Sequence, residues 1–511
     1  MQLSDIVLQG EVNYPVNVAI VFRDQSLTYT DLADGVRTFA KTLRELGIQT
    51  GDRVGILLPN CPQSVCAYYA VALIGAVVVP SNPLLKPAEL EYIWGDAEVR
   101  LVVTIPALLP VAQAAQQSLP NLKHLLSVDP AQSVSTLVRE NLAPNAEVAS
   151  FESVEARVDP QSCAVIIYTS GTTGRPKGAM LSHFNLCRNV QMVQEFLQFQ
   201  ASDRFLTVIP LFHSFAMTVC QNVALSKGCA TVLLEQFLPA KALDILIDNR
   251  VTILPGVPAL FFALLQIVSQ TDRKLPDLRL IVSGGAPLPA TTFHALEKVF
   301  GIPVLEGDGP TECSPVTSVN PVEGVRKVGS VGIPLPGVEI AIFDENDQPV
   351  ATDGIGEIVV RGDNVMLGYL NQPEETAEAM KGGWYHTGDM GIIDSDGYVY
   401  IVDRKKDMII TAGLNVYPRE IEEVLFSHSA VGEAAVIGLA DAMRGEEVVA
   451  IVVLKPGATA TERELVVHCR EKLANYKIPR KVLFREMLPK GGTGKVVKRL
   501  LKKELELEGI S

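Results

Sequence analysis

The stretch that is richest in chemically useful side chains is YTSGTTGRPKG at 168–178, which directly follows the apolar run AVII at 164–167. It holds four serine and threonine hydroxyls, three glycines and one lysine. Glycine allows close backbone approach, consecutive amides in such a turn form an anion-binding nest, and Lys177 adds a positive charge. This composition suits a polyphosphate, and the alternative is an ordinary Thr/Gly-rich surface turn.

Two other kinds of site are excluded by spacing. A Walker A loop needs a lysine followed by serine or threonine, whereas Lys177 follows Pro176 and precedes Gly178. The elbow motif G-x-S-x-G of serine hydrolases occurs nowhere in the chain.

Length and composition describe a chain with several cores. At about 150 residues per domain, 511 residues predict two to four domains. A net charge of −14 argues against a nucleic-acid-binding protein. The eight cysteines include no C-x-x-C pair, which indicates reduced core thiols and a cytoplasmic location. No signal peptide is visible, and the longest apolar run, 66–80, is split by Gly75 and is too short for a membrane span of roughly 20 residues.

Short apolar strands alternate with helical segments through the first half of the chain, which predicts an α/β fold of mainly parallel, helix-covered sheets. The run 66–80 is expected to form a helix that ends near Gly75 and then a strand. Helices are also predicted at 27–47 and 239–250, and strands at 53–59, 101–105, 124–128, 164–168, 205–210, 230–235, 251–256 and 278–285. Because ligand loops lie at the carboxyl ends of parallel strands, the loops at 169–178 and 284–288 are candidate site loops.

The pattern changes after about residue 325. Strands and Asp/Asn/Gly turns at 338–362 predict a small antiparallel β subdomain, and 396–413 is expected to be a hairpin with the charged connection DRKKD at 403–407. A small α+β unit follows, with predicted helices at 418–426 and 461–474 and predicted strands at 431–437 and 447–454. We place a domain boundary at the charged connection, giving domains 1–403 and 404–511, although such a run is also typical of a solvated turn.

The stretch YTSGTTGRPKGAMLSH at 168–183 resembles the signature of the adenylate-forming enzymes, which include acyl-CoA synthetases, adenylation domains and luciferases. Similar motifs follow in the family's order from about 25 to 500: TYTDL (28–32), IGAVVVPSNPLL (74–85), PLFHSFAMT (210–218), GGAPL (284–288), EGDGPTECSP (306–315), GEIVVRGDNVMLGYLN (356–371), WYHTGD (384–389), DRKKDMIITAGLNVYPREIE (403–422) and PKGGTGK (489–495). FHSFAMT together with GPTECSPVTSVNP is most similar to fatty-acyl-CoA ligases.

The resemblance implies two half-reactions that use ATP, Mg²⁺ and coenzyme A. A carboxylate attacks the α-phosphorus of ATP, giving acyl-adenylate and pyrophosphate, and the thiol of coenzyme A then displaces AMP. Because two anions must meet, charge neutralisation and positioning are expected to do the catalytic work. The implied catalytic residues are Lys495, Glu312, Thr169 and His213.

The resemblance also implies a nucleotide site. Glu312, with Thr169, is expected to bind Mg²⁺, which accepts one or two carboxylates together with phosphate oxygens and water. Taken alone, Thr311–Glu312 is more typical of a helix start with an acidic residue in its first turn. The β- and γ-phosphates are assigned to Thr169, Ser170, Gly171, Thr172, Thr173, Gly174 and Lys177. The other nucleotide contacts are assigned to Gly284, Gly285, Ala286, Glu306, Gly307, Asp308, Gly309, Thr311, Asp389, Arg404 and Lys495.

Within this set, Gly284 to Ala286 form the implied adenine wall, Asp389 and Arg404 face the ribose, and Thr311 faces the α-phosphate. The chain departs from the family at Asp308, where an aromatic ring usually stacks on adenine. Either another residue covers the base or nucleotide affinity is lower.

The small C-terminal domain is implied to be mobile. It is expected to rotate about a hinge at Lys406. The rotation presents Lys495, in the tip GGTGK, to the substrate carboxylate and α-phosphate during adenylation. It then presents Ala412, Gly413 and Leu414 to the coenzyme A tunnel.

The implied acyl pocket is lined by Phe212, His213, Phe215, Met217 and Gly284, although a lone histidine such as His213 is also typical of a core. An apolar pocket favours apolar acids by about 0.8 kcal/mol per buried methylene. The prediction is an ATP-dependent ligase that joins medium- or long-chain fatty acids to coenzyme A.

Three alternatives stay open: an aryl-acid–CoA ligase, a stand-alone enzyme that loads a carrier protein, and a non-catalytic nucleotide-binding protein. No nucleic-acid partner is predicted, and a homodimer stays open. The basic tail at 495–509 leaves room for peripheral membrane contact, but its interleaved glutamates favour a solvated helix.

Overall fold

The computed structural model describes residues 1–132, 134, 155–169, 175–271, 273–441, 443–491 and 496–508. Elements are numbered in chain order. The α-helices of the described residues are α1 (Asp5–Asn13), α2 (Tyr29–Glu45), α3 (Pro62–Leu73), α4 (Pro87–Asp96), α5 (Leu109–Gln116), α6 (His183–Leu197), α7 (Ala224–Ser226), α8 (Pro239–Asp248), α9 (Pro258–Val268), α10 (Ala290–Phe300), α11 (Pro373–Ala379), α12 (Pro418–Phe426), α13 (Glu462–Arg470) and α14 (Lys498–Leu507). A π-helical segment, Ala216–Val223, leads directly into α7.

Two large sheets form the first part of the chain. The nine-stranded sheet has the order β15 (Ile333–Pro334), β14 (Ser318–Val319), β13 (Val304–Asp308), β12 (Leu280–Ser283), β11 (Ile253–Gly256), β9 (Arg204–Thr207), β10 (Ala230–Leu233), β1 (Val18–Phe22), β2 (Gln25–Thr28). The seven-stranded sheet has the order β18 (Gly368–Tyr369), β8 (Lys177–Ser182), β7 (Cys163–Thr169), β4 (Val77–Pro80), β3 (Arg53–Leu57), β5 (Val99–Thr104), β6 (His124–Ser127). The nine-stranded sheet is parallel in the middle and antiparallel at both edges. The seven-stranded sheet is antiparallel from β18 to β7 and parallel from β7 to β6.

Helices fill the space between the two sheets and cover their outer faces. The largest apolar cluster joins α2, α3, α6 and the π-helical segment to the inner faces of both sheets. Helix α3 is buried along its whole length, as expected for a helix enclosed on all sides. A second cluster packs α8, α9 and α10 on the nine-stranded sheet, and a third packs α4 and α5 on the seven-stranded sheet.

The later part of the chain is built on two further sheets. The antiparallel sheet has the order β16 (Val338–Phe343), β17 (Gly356–Gly362), β19 (Tyr385–Ile393), β20 (Val399–Arg404). The last sheet has the order β22 (Leu414–Val416), β21 (Ile409–Thr411), β24 (Gly445–Leu454), β23 (Val431–Asp441), with β25 (Lys481–Phe484) also paired to β24. Helices α12 and α13 pack on one of its faces. Helix α14 buries Leu501 and Leu505 on the other, so the apolar side of the basic tail is used within the fold.

The predicted fold class is confirmed, and so are most individual elements. The run 66–80 forms the end of α3 and then β4, with Gly75 between them at φ +72°. One prediction is wrong: 396–413 is not a hairpin. Strand β20 pairs with β19, and β21 pairs with β22 in another sheet, so the charged run 403–407 is the link between two sheets.

All eight cysteines are free thiols; seven are buried and Cys163 is half-buried. Burial raises the pKa of Cys61, Cys163, Cys187 and Cys229 to about 12. These groups stay protonated at neutral pH and serve as core residues. Among the helices of the described residues, none has both the length and the apolar character that crossing a membrane requires.

Candidate active site

The candidate phosphate loop connects two neighbouring strands. Strand β7 ends at Thr169 and β8 begins at Lys177, and these two residues face each other in the antiparallel register. Helix α4 holds both stems, because the Tyr92 hydroxyl donates to the carbonyl of Pro176 at 3.1 Å and the Tyr168 hydroxyl donates to Asp96 at 2.6 Å. The predicted loop residues Ser170, Gly171, Thr172, Thr173 and Gly174 lie outside the described residues.

Glu312 lies where the two large sheets approach each other. It follows β13 in a short 3-10 turn, and it is buried, with 8% of its surface exposed. Its Oε1 accepts hydrogen bonds from the Tyr369 hydroxyl at 3.0 Å and from Thr169 Oγ at 3.3 Å. Because Tyr369 belongs to β18, the edge strand beside β8, the sheet itself fixes this carboxylate next to the candidate phosphate loop.

Lys177 is nearly buried beside the same group. Its ammonium forms an ion pair with Glu375 of α11 and lies 5.2 Å from the centre of the Tyr369 ring. The lysine side chain is 9% exposed and that of Glu375 is 35% exposed. Glu312, Thr169, Tyr369 and Lys177 therefore form one contiguous network.

His213 lies on the loop between β9 and the π-helical segment. Its Nδ1 accepts a hydrogen bond from the backbone N–H of Phe215 at 3.2 Å. The buried Asn60 fixes this loop: its side-chain amide donates to the carbonyls of Thr207 and Ile209, both at 3.1 Å, and its Oδ1 accepts from the N–H of Leu211. Asn60, which follows β3, thus holds the backbone of the segment that leads to His213.

The predicted acyl-pocket residues divide into two groups. Phe212 and His213 line the central cavity. Phe215 and Met217 are buried in the core behind them, and a Cβ added at Gly284 would lie 3.4 Å from the Phe215 ring. Their contact with an acyl chain stays a prediction.

The predicted adenine wall follows β12. Gly285 has φ +77°, which favours glycine at this turn. The loop is tied to β13, because the N–H of Leu288 donates to Glu306 Oε1 at 2.8 Å. Glu306 is 2% exposed, and burial raises the pKa of its carboxyl to about 7. Glu306 therefore ties the predicted adenine wall to β13, and it lines the central cavity together with Gly285, Ala286 and Asp308.

Asp389 and Arg404 face each other across β19 and β20, with Arg404 Nε 3.4 Å from Asp389 Oδ1. Thr311 lies apart from them, and its hydroxyl is 3.1 Å from Ser214 Oγ, next to His213. The structure therefore places the expected ribose and α-phosphate contacts on different walls of one cavity.

Residues from the link 403–407 and from the chain after β25 also line the cavity. Lys406 lines it, and burial together with the charge of Arg404 lowers the pKa of its ammonium. Lys495 lies outside the described residues, but Gly491 and Val496 on either side of its segment line the cavity. Ala412, Gly413 and Leu414 form the exposed tip between β21 and β22 and are not part of the cavity lining.

All these walls surround one cavity of about 3120 Å³, several times the roughly 300–1,000 Å³ of a site for one small molecule. Several supporting residues were not singled out from the sequence, namely Asn60, Tyr92, Asp96, Tyr369 and Glu375. Tyr369 lies within the recognised motif at 356–371, so the motif was the available signal. Asn60, Tyr92, Asp96 and Glu375 contact residues that are distant in the sequence, so no local pattern identifies them.

Comparison with protein families gives two matches. The profile described as AMP-binding enzyme matches residues 9–370, and the profile described as AMP-binding enzyme C-terminal domain matches residues 420–495. The first covers well over half of the chain.

Two characterised relatives align over almost the whole chain. A long-chain-fatty-acid–CoA ligase of Bacillus subtilis (strain 168) is 38% identical, with 99% of this chain and 95% of the relative covered. A feruloyl-CoA synthase of an Amycolatopsis species is 35% identical, with 95% of each chain covered.

One solved neighbour is available in two states. The ATP-bound structure of MatB from Rhodopseudomonas palustris superposes with a TM-score of 0.90 at 34% identity over 100% of both chains. The apo structure of the same protein superposes with a TM-score of 0.78 at the same identity and coverage.

Proposed function

Because the chain belongs to the AMP-binding enzyme family and is an AMP-forming acyl-CoA synthetase that uses ATP, we propose that its acid is a medium- or long-chain fatty acid. The relatives support this proposal, since ligases of long-chain fatty acids match at 34–38% identity over 98–99% of the chain.

The observation that carries the proposal is the chemistry behind His213. The π-helical segment Ala216–Val223 is buried at every position and contains no lysine, arginine or histidine. An acid with a second charged group directed there would bury an unpaired charge, which is strongly unfavourable. Phe212, which lines the cavity, and Phe215, which is buried behind it, would suit a hydrocarbon chain, because each buried methylene contributes about 0.8 kcal/mol.

The proposed mechanism follows from the charges around the cavity. Lys177 and the loop at 169–177 hold the β- and γ-phosphates, Thr311 contacts the α-phosphate, and Asp389 with Arg404 orients the ribose. His213 lies beside Thr311 and Ser214, where it positions the acid carboxylate for in-line attack. Lys495 stabilises the negative charge that develops between carboxylate and α-phosphate.

The residues around Glu312 fit Mg²⁺. Hydroxyls from Thr169 and Tyr369 surround the carboxylate, so the donors are all oxygen, as this ion prefers. No group of three or more His, Cys, Asp or Glu side chains suited to a metal occurs within the described residues, so phosphate oxygens and water complete the proposed shell. When bound, Mg²⁺ neutralises phosphate charge; Glu312 holds it and Tyr369 orients Glu312.

We propose that residues 404–511 rotate between the half-reactions about Lys406. The better superposition on the ATP-bound neighbour than on its apo form, at equal identity, supports an arrangement suited to adenylation. In this arrangement the tip 412–414 is exposed, and its proposed role at the coenzyme A tunnel needs the second arrangement.

An aryl acid is the second candidate, favoured by the feruloyl-CoA synthase at 35% identity. The test is a panel of saturated acids from six to eighteen carbons together with ferulate and benzoate. AMP formation is measured with and without coenzyme A. We expect kcat/KM to be highest for a fatty acid; a higher value for ferulate or benzoate would contradict the proposal.

A further inference from the structure

The ammonium of Lys177 already has an anionic partner. Its ion pair with Glu375 joins β8 to α11, and both side chains line the central cavity. Glu375 is therefore not part of a distant surface pair but faces the space in which the phosphates are expected.

The two partners differ in how firmly they are held. Lys177 is 9% exposed, lies under the Tyr369 ring and is fixed by the register opposite Thr169. Glu375 is 35% exposed and belongs to α11, a helix of seven residues with no buried member. If the pair opens, Glu375 is the partner that moves.

We propose that Glu375 is an exchangeable counter-ion of Lys177, which the β- and γ-phosphates of ATP displace and which pairs again as pyrophosphate leaves. The proposal rests on the proposed nucleotide site. Because the Glu375 side chain is 35% exposed, its carboxylate can return to water when it leaves Lys177. A polyphosphate carries more charge than one carboxylate, so the exchange favours the nucleotide. Glu375 thereby weakens ATP binding and keeps the nearly buried ammonium paired between turnovers.

The test measures the Kd of ATP and of AMP by titration calorimetry with Mg²⁺ present. Glu375→Gln removes the competing carboxylate, and Glu374→Gln is the matched control, because it makes the same charge change at an exposed position on the same helix. We expect Glu375→Gln to lower the Kd of ATP by roughly three- to tenfold. The Kd of AMP, which lacks the β- and γ-phosphates, should not change.

A second background separates exchange from simple repulsion. In Lys177→Met, adding Glu375→Gln should give no further gain in ATP affinity, because the exchange needs the lysine. A gain that persists there, an equal gain in Glu374→Gln, or an equal gain for AMP overturns the counter-ion role. Failure of the wild-type chain to bind ATP at all would instead contradict the nucleotide site itself, so the two failures are distinguishable.

Discussion

Glu312 and Arg404 line the same cavity, but they are held there in different ways. Glu312 is 8% exposed and receives hydrogen bonds from Tyr369 and Thr169, and its backbone carbonyl accepts from the N–H of Met366 at 2.7 Å. Arg404 has a side chain that is 41% exposed and forms an ion pair with Asp389 at 3.4 Å. Glu312 is held by contacts from both large sheets, whereas Arg404 is the last residue of β20, directly before the link to the last sheet.

The difference explains how one cavity serves two proposed reactions. Charge stabilisation works best when donors and charges are fixed before the reaction, and the Glu312 wall meets that condition. A wall joined through a short charged link can be exchanged between steps, as the proposed role of the tip 412–414 at the coenzyme A tunnel requires.

The largest effect is expected at Lys495, which belongs to the part of the chain that is proposed to rotate. Lys495→Ala removes a charge that we propose acts only in adenylation, and it should slow acyl-adenylate formation by roughly 10²–10⁴-fold. Pyrophosphate release measures this step. Thioester formation from supplied acyl-AMP serves as the control, and an equal loss in both reactions would show that Lys495 does not act only in the first.

Glu312 tests the fixed wall. Glu312→Gln keeps the shape and hydrogen bonds but removes the charge that holds the proposed Mg²⁺, so ATP–pyrophosphate exchange should fall by roughly 10²–10³-fold. Raising the Mg²⁺ concentration should restore part of the rate. A variant with unchanged exchange and unchanged Mg²⁺ dependence would remove Glu312 from the proposed site.

Lys406 tests whether the part of the chain after the link 403–407 rotates. Lys406→Pro restricts φ to about −65° and should reduce thioester formation more than about tenfold, the scale expected when a required conformational step fails. ATP–pyrophosphate exchange should persist. Lys406→Ala, which keeps backbone freedom, is the control, and if both variants ligate coenzyme A normally the hinge lies elsewhere.

Glu306, in the strand β13 that precedes Glu312, makes the stability of the native chain depend on pH. An unfolded carboxyl loses its proton near pH 4.5, whereas Glu306 keeps it to about pH 7 because of burial. The native state is therefore progressively destabilised as pH rises from 4.5 to 7, by at most about 3 kcal/mol. Glu306→Gln keeps the hydrogen bond from Leu288 and removes this loss.

The measurement for Glu306 is thermal denaturation at two pH values. The variant should melt above the wild type at pH 8, and the difference should shrink toward zero near pH 5. A difference that is the same at both values would mean that the carboxyl is already ionised in the native chain.

The smallest effect is expected at Asp308. Asp308→Tyr supplies the ring that the family uses against adenine and should lower the KM for ATP by roughly three- to tenfold. Asp308→Asn separates loss of charge from stacking. If Asp308→Asn gives the whole gain, electrostatic repulsion rather than a missing ring limits ATP binding.

Local signals predicted the fold well where they were strong. Gly75 separates α3 from β4 because it can adopt φ +72°, and this is visible in the sequence. The charged run 403–407 was predicted as a hairpin connection, because hairpin and linker have the same composition. Only the pairing of β20 with β19 and of β21 with β22 distinguishes them.

The site shows the same limit. Motifs identified Glu312 and Lys177, whose residue types carry the chemistry. The residues that orient them come from elsewhere: Tyr369 reaches Glu312 through the pairing of β18 with β8, and Glu375 reaches Lys177 from α11. Asn60, which sets the loop of His213, has no charge and no motif to mark it. Such partners depend on long-range geometry.

The enclosure of the cysteines has a practical consequence for watching the proposed rotation. Thiol-reactive dyes need an accessible thiolate, so the native chain should take up little label. Cysteines introduced at Met443, which is 95% exposed near the exposed tip, and at Val325, which is 63% exposed on the larger part, then supply two unique attachment points. A donor and acceptor placed there would report the separation of the two parts by energy transfer as ATP, acid and coenzyme A are added in turn.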